Sequence, residues 1–178
     1  MSRTRRRLGL LGSVVAVPLA VPLAVPMSVP LAAQAQGLIE THRIPAALAA
    51  EAVTAAVGHC ASQGYAETAV LVDADGVTQA ALRGDRAGAH TLDSAHDKAY
   101  TAATFKADTL ALVERAKTAP GFAALFTQIP HLLLFGGGVV IKHGDEVVGA
   151  IGAAGAPGGN LDAACAQAGL DKIADRLK

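Results

Sequence analysis

Tryptophan is absent from the 178 residues, and aromatic residues make up only 3% of them. A core without large aromatic side chains must be filled by small aliphatic ones, each burying little area, so its elements must approach closely. Cysteine is almost absent as well. Cys60 and Cys165 are the only two, too few for a paired-cysteine zinc site or an iron–sulfur cluster. Neither Ser62 nor Ser94, the only serines beyond residue 35, lies in a G-x-S-x-G elbow. There is no H-E-x-x-H, no G-x-G-x-x-G of the dinucleotide type and no G-K-[ST] phosphate loop. These absences leave no recognisable catalytic set, so a binding protein is favoured over an enzyme.

What is present begins with a leader. Arg3, Arg5, Arg6 and Arg7 precede an apolar run, and Ala33-Gln34-Ala35 has the small-x-small form of a signal-peptidase site. Residues 1–35 read as a signal peptide, and Thr4-Arg5-Arg6-Arg7-Leu8 is similar to a twin-arginine signal. The alternative is an uncleaved anchor, but Pro18, Pro22, Pro26 and Pro30 interrupt the apolar run every fourth residue. A secreted or extracytoplasmic protein with no stable membrane span in its mature chain is expected. Both methionines, Met1 and Met27, leave with the signal. Four of the fifteen basic residues leave too, so eleven stand against fifteen acidic ones, a net charge of −4. No basic cluster remains, which argues against nucleic acid as a partner.

Residues 36–178 are expected to form a single domain. Small apolar residues at helical spacing predict a helix over 44–63. Strands over 69–73 and 77–82 flank the turn Asp73-Ala74-Asp75-Gly76. A helix over 92–105 with Thr91 as its cap follows, then shorter helical segments over 109–117 and 122–128. A hairpin is expected from runs 139–141 and 147–151, turning at 142–145. Asn160 then caps a final helix over 161–177. This order implies an α+β domain with a largely antiparallel sheet of four or five strands flanked by helices. Cys60 and Cys165 both fall in Ala-rich helices. Free core thiols are favoured there, with a disulfide as the alternative that the exported compartment permits.

Several polar residues are candidates for chemistry. Lys98 shares a helix face with Ala95, Ala102 and Phe105, so it needs a buried acceptor, with Asp73 as the expected partner, or an anionic ligand. Asp93 and His96 are one turn apart and offer a surface metal pair; the alternative is ordinary helix N-terminal acidity. His42, His59 and His143 read as surface residues. His131 precedes an apolar wall, Leu132-Leu133-Leu134-Phe135, and a triple glycine, Gly136, Gly137 and Gly138. An imidazole beside an apolar wall and bare backbone suits an iron ligand for a flat cofactor such as haem, with Tyr100 as a second candidate. The alternative is a histidine satisfied by a backbone carbonyl. The glycines suggest backbone approached closely by a ligand or another subunit.

Six segments carry a resemblance. They are Val72-Asp73-Ala74-Asp75-Gly76, Lys98-Ala99-Tyr100-Thr101-Ala102, Phe135-Gly136-Gly137-Gly138, Val148-Gly149-Ala150-Ile151-Gly152, Ala154-Gly155-Ala156, and Leu161-Asp162 with Cys165-Ala166-Gln167-Ala168-Gly169. In this order they resemble the GlcG/HbpS family, also called the haem-degrading domain family, across residues 40–178. With Gly84-Asp85-x-Ala87-Gly88 and the export signal, the secreted actinobacterial haem-binding branch is nearest. The resemblance implies a helix-flanked antiparallel sheet, a homo-oligomer, haem and iron as cofactors, and a sensor kinase as partner. It also implies an iron-binding E-x-x-E pair, where this chain has Asp93 and His96. A haem-coordinating threonine is implied at the position of Leu132, which cannot ligate iron and has His131 beside it.

Three functions follow as expectations. The first is an exported haem-binding protein in haem or iron sensing or protection. The second is a non-haem small-molecule-binding or structural oligomer of the same fold. The third is an enzyme that degrades haem or processes a small acid. On these readings Lys98, Tyr100, His131 and Gly136–Gly138 contact the cofactor, and His131, Asp93 and His96 hold metal.

Overall fold

A computed structural model describes residues 37–178; the expected signal peptide lies outside the described residues. Ile39–Lys178 form one compact unit. Among the described residues no helix is long and apolar enough to cross a membrane.

The first helix, α1, spans Ala46–Ser62. Pro45 stands just ahead of it, where a missing N–H costs nothing, and Gly64 ends it with φ +86°. Its buried residues Ala49, Ala52, Val53, Ala56 and Cys60 form one stripe. Strands β1 (Thr68–Asp73) and β2 (Thr78–Arg83) make the first hairpin. Helices α2 (His90–Phe105), α3 (Thr109–Thr118) and α4 (Pro120–Leu125) follow. The second hairpin is β3 (Gly138–His143) with β4 (Glu146–Ala154), and α5 (Gly159–Ile173) closes the fold with a 3-10 turn at Ala174–Arg176.

The expected α+β architecture is what forms, with four strands in the order β2-β1-β4-β3, every pair antiparallel. Alternation along the strands divides the core into two. Ala69, Leu71, Ile151 and Ala153 pack with the stripes of α1 and α5 on one face. Val70, Val72, Ala150 and Ala154 meet Ala95, Ala99, Ala102 and Ala103 of α2 on the other. Small residues let α2 settle almost onto the sheet. A Cβ at Gly152 would run into the carbonyl oxygen of Ala95 and the nitrogen of Ala99.

Several local expectations are corrected. Cys60 and Cys165 form a disulfide between α1 and α5, with Cα atoms 5.6 Å apart, rather than two free thiols. The two helices lie side by side, which brings residues 105 positions apart within bridging range. Thr91 lies inside the first turn of α2 rather than capping it; its hydroxyl lies 2.6 Å from both the Gly88 carbonyl and the Thr68 hydroxyl. Gly158, not Asn160, takes the cap position of α5. The second hairpin turns on Gly144-Asp145 alone, with His143 paired opposite Glu146. His143 is half-buried, its Nδ1 donating to the Leu177 carbonyl at 2.6 Å.

Candidate functional site

Helix α2 carries polar groups on both its faces, and they have different fates. On the inner face Lys98 is 3% exposed. Its ammonium donates to Asp162 Oδ2 at 2.5 Å and to the Ala153 carbonyl at 2.9 Å. Asp162 Oδ1 in turn accepts from the Ala156 amide at 2.9 Å. The Phe135 ring lies 5.1 Å from the ammonium. The partner of Lys98 is therefore Asp162 and not Asp73. Asp73 is committed elsewhere: Oδ1 accepts from the amides of Asp75 and Val77, and Oδ2 meets Arg43 at 3.1 Å.

Beside this pair lies a group that sequence reasoning passed over. Glu67 is 1% exposed, and its Oε1 has no hydrogen-bond partner. Its Oε2 is 3.3 Å from Cys60 Sγ. That sulfur is disulfide-bonded and has no proton to give, so the approach is a contact. Burial, then the neighbouring Asp162 carboxylate, push the Glu67 carboxyl up to about 8. A neutral Glu67 accounts for its survival in the core without a cationic partner.

The triple glycine also packs inward. A Cβ at Gly136 would meet Leu110 and the backbone of Gly159; one at Gly138 would meet the Lys98 carbonyl and Thr109. Gly137, at φ +125°, lies against Ala153, Asp162 and Lys98. Close approach at these three positions is made by the protein's own α2, α3, β4 and α5. Thr109 Oγ1 accepts from the Gly138 amide at 2.9 Å, and Asp108 Oδ1 accepts from that of Val140 at 2.9 Å, which anchors the start of β3 to α3.

The outer face of α2 meets the loop after α4. Leu132 is buried, and the Leu133 amide donates to Thr101 Oγ1 at 2.8 Å, which ties this loop to α2. His131 sits at φ +65°, a left-handed conformation uncommon for a non-glycine residue. Its Nδ1 is 3.1 Å from Asp97 Oδ1, and His96 Nδ1 is 3.0 Å from the same oxygen. The carboxylate can only accept, so both imidazoles donate from Nδ1. The rings of His96 and His131 are 5.8 Å apart and edge-on. Tyr100, one turn along α2, lies 6.0 Å from the His96 ring and 6.2 Å from that of His131. The sequence candidates His96, Tyr100 and His131 are thus brought together. Asp93 is exposed and outside the group, and Asp97, which sequence reasoning did not single out, stands at its centre.

The model of one protein family, described as "Haem degrading protein HbpS-like", matches residues 44–171. The chain belongs to the HbpS-like family. Two crystal structures of HbpS are similar to it. One is 35% identical, covering 77% of this chain and 96% of that one, with a TM-score of 0.71. The other is a double glutamate-to-aspartate mutant of Streptomyces reticuli HbpS, 36% identical, covering 82% and 97%, with a TM-score of 0.71. A PduOC:haem complex shares the fold at 23% identity and a TM-score of 0.68, covering 74% and 96%. No curated protein matches the chain. HbpS-like membership accounts for the helix-flanked antiparallel sheet.

Proposed function

We propose that this chain is an exported haem-binding protein that serves haem or iron sensing or protection, with His131 as the iron ligand. One observation carries the reading. His131 is an exposed imidazole whose Nδ1 is held by Asp97, and Nε2 makes no hydrogen bond among the described residues. A carboxylate on one ring nitrogen fixes the tautomer and raises the basicity of the other, an arrangement typical of metal-binding histidines. The loop that carries His131 also offers apolar side chains to a flat cofactor. Ile129 and Phe135, on the same loop, are large apolar side chains about half exposed. Tyr100, its ring 6.2 Å from that of His131, is a second candidate donor, through its phenolic oxygen. Membership of a family described as haem-degrading, and a fold shared with a PduOC:haem complex, support the same ligand.

In this reading the protein binds and presents; it is not an enzyme. When bound, haem supplies iron redox and ligand chemistry. The chain supplies an imidazole, an apolar surface and a tyrosine. Lys98 does not contact the cofactor, because its ammonium is occupied by Asp162 and Ala153. A homo-oligomer, and a sensor kinase as partner, complete the proposal on the strength of the family resemblance.

Haem titration of the purified protein tests it. The expected result is a saturable Soret band, shifted or lost in His131→Gly, a change that tolerates the left-handed backbone. No saturable band would remove the haem function. A band unchanged in His131→Gly would remove His131 as the ligand.

A further inference from the structure

We propose that His96, Asp97 and His131 form a site for a divalent transition-metal ion other than haem iron, with zinc, nickel and cobalt as its class. The donors of the three groups all lie within 4.8 Å of one another. Two neutral imidazoles and one carboxylate are a donor set suited to borderline ions, and three protein ligands leave a further position open for water or an exogenous group.

The distances fit. In a tetrahedral site with metal–ligand bonds near 2.1 Å, adjacent nitrogen and oxygen donors stand about 3.4 Å apart. The two Nδ1···Oδ1 separations are 3.0 and 3.1 Å, a few tenths of an ångström short of that, and all three donors lie within 4.8 Å, so small side-chain rotations seat an ion. His96 and Asp97 are held by α2, and His131 by a loop tied to the same helix through Thr101. The left-handed backbone of His131 is a strained conformation that delivers the imidazole to this spot, and strain of this kind gathers at ligand clamps.

The inference goes beyond the haem reading and does not need it. The divalent ion takes Nδ1 of His131, whereas the haem reading uses Nε2. A neutral imidazole metallated at Nδ1 keeps its proton on Nε2, so one His131 cannot ligate both. Divalent metal and haem are therefore expected to compete.

Calorimetric titration of the purified protein with ZnCl2 or NiCl2 is the test, and CoCl2 adds a visible spectrum that reports imidazole coordination. One equivalent is expected to bind saturably. Asp97→Asn, His96→Ala and His131→Gly are each expected to weaken binding at least tenfold, and Asp93→Asn to leave it unchanged. Unfolding midpoints of the variants, all at positions outside the core, check that the fold persists. Absence of saturable binding, binding indifferent to Asp97→Asn, or a loss in Asp93→Asn would each overturn the site. Titration of haem with and without zinc keeps the two readings apart. A Soret band with no zinc binding defeats only the metal site, and zinc binding without a Soret band defeats only the haem function.

Discussion

Glu67 gives the fold a pH dependence that a single substitution removes. Its carboxyl titrates at about 8 in the folded chain against 4.5 for an ordinary glutamate, because burial and the Asp162 carboxylate both oppose its charge. Between those values the folded state holds a proton that the unfolded state has released. The stability this protonation provides is fully present below about 4.5 and is lost as pH rises through about 8. The slope is about 1.4 kcal/mol per pH unit. From pH 5 to pH 7 the group therefore contributes a loss of about 3 kcal/mol. Glu67→Gln keeps the size, removes the ionisation and supplies donors toward Asp162. Urea unfolding at pH 5, 6, 7 and 8, with the disulfide intact, measures the difference between the two proteins. Histidine titration is common to both and cancels. The variant is expected to gain on the parent by about 3 kcal/mol over those two units and to level off above pH 8. A difference that stays constant from pH 5 to pH 8, or that shrinks with rising pH, would refute a protonated Glu67.

Two further outcomes concern the same interior. Lys98→Met leaves the Asp162 carboxylate buried without its cation, which is expected to cost about 3–5 kcal/mol in urea unfolding; adding Asp162→Asn is expected to recover a large part of it. If the parent and Lys98→Met unfold at the same midpoint, the ion pair is not structural. Cys60→Ala with Cys165→Ala opens a loop of 105 residues, and chain entropy sets the loss at up to about 5 kcal/mol. Thermal unfolding of the double variant, and the mass of the parent before and after reduction and alkylation, check both the bond and its contribution.

The fold was legible because its signals are local and repeated. Alanine at helical spacing marks α1 and α5, and the Asp73–Gly76 turn marks the first hairpin. The triple glycine and the apolar runs around Gly144 mark the second. The pairings across the fold were not legible. Asp162 reads in sequence as a first-turn acid favoured by the helix dipole, yet its contacts are Lys98, 64 positions earlier, and the Ala156 amide. Glu67 lies between a turn and a strand, where nothing in the spacing distinguishes it from a solvated acid. Cys60 and Cys165 each read as a small apolar residue of its own helix. Only the packing of α1 on α5 joins them.

Residues 96–98 explain why ligand chemistry cannot be carried from relatives by motif alone. Lys98 faces the interior, where its ammonium must find Asp162 and Ala153, so the fold itself fixes that residue type. His96 and Asp97, two and one positions earlier, touch a loop and solvent. They are partly exposed and pack against Tyr100 and the His131 loop rather than in either core cluster. Asp93 stands apart from this contact, because the His131 loop meets α2 at His96 and Asp97. Asp93 and Asp97 are four residues apart, about 6 Å along the helix axis, too far to stand in for one another at an ion held by His131. In the proposed metal site, the donors that α2 contributes are set by where the loop carrying His131 crosses it. In this chain that crossing selects Asp97.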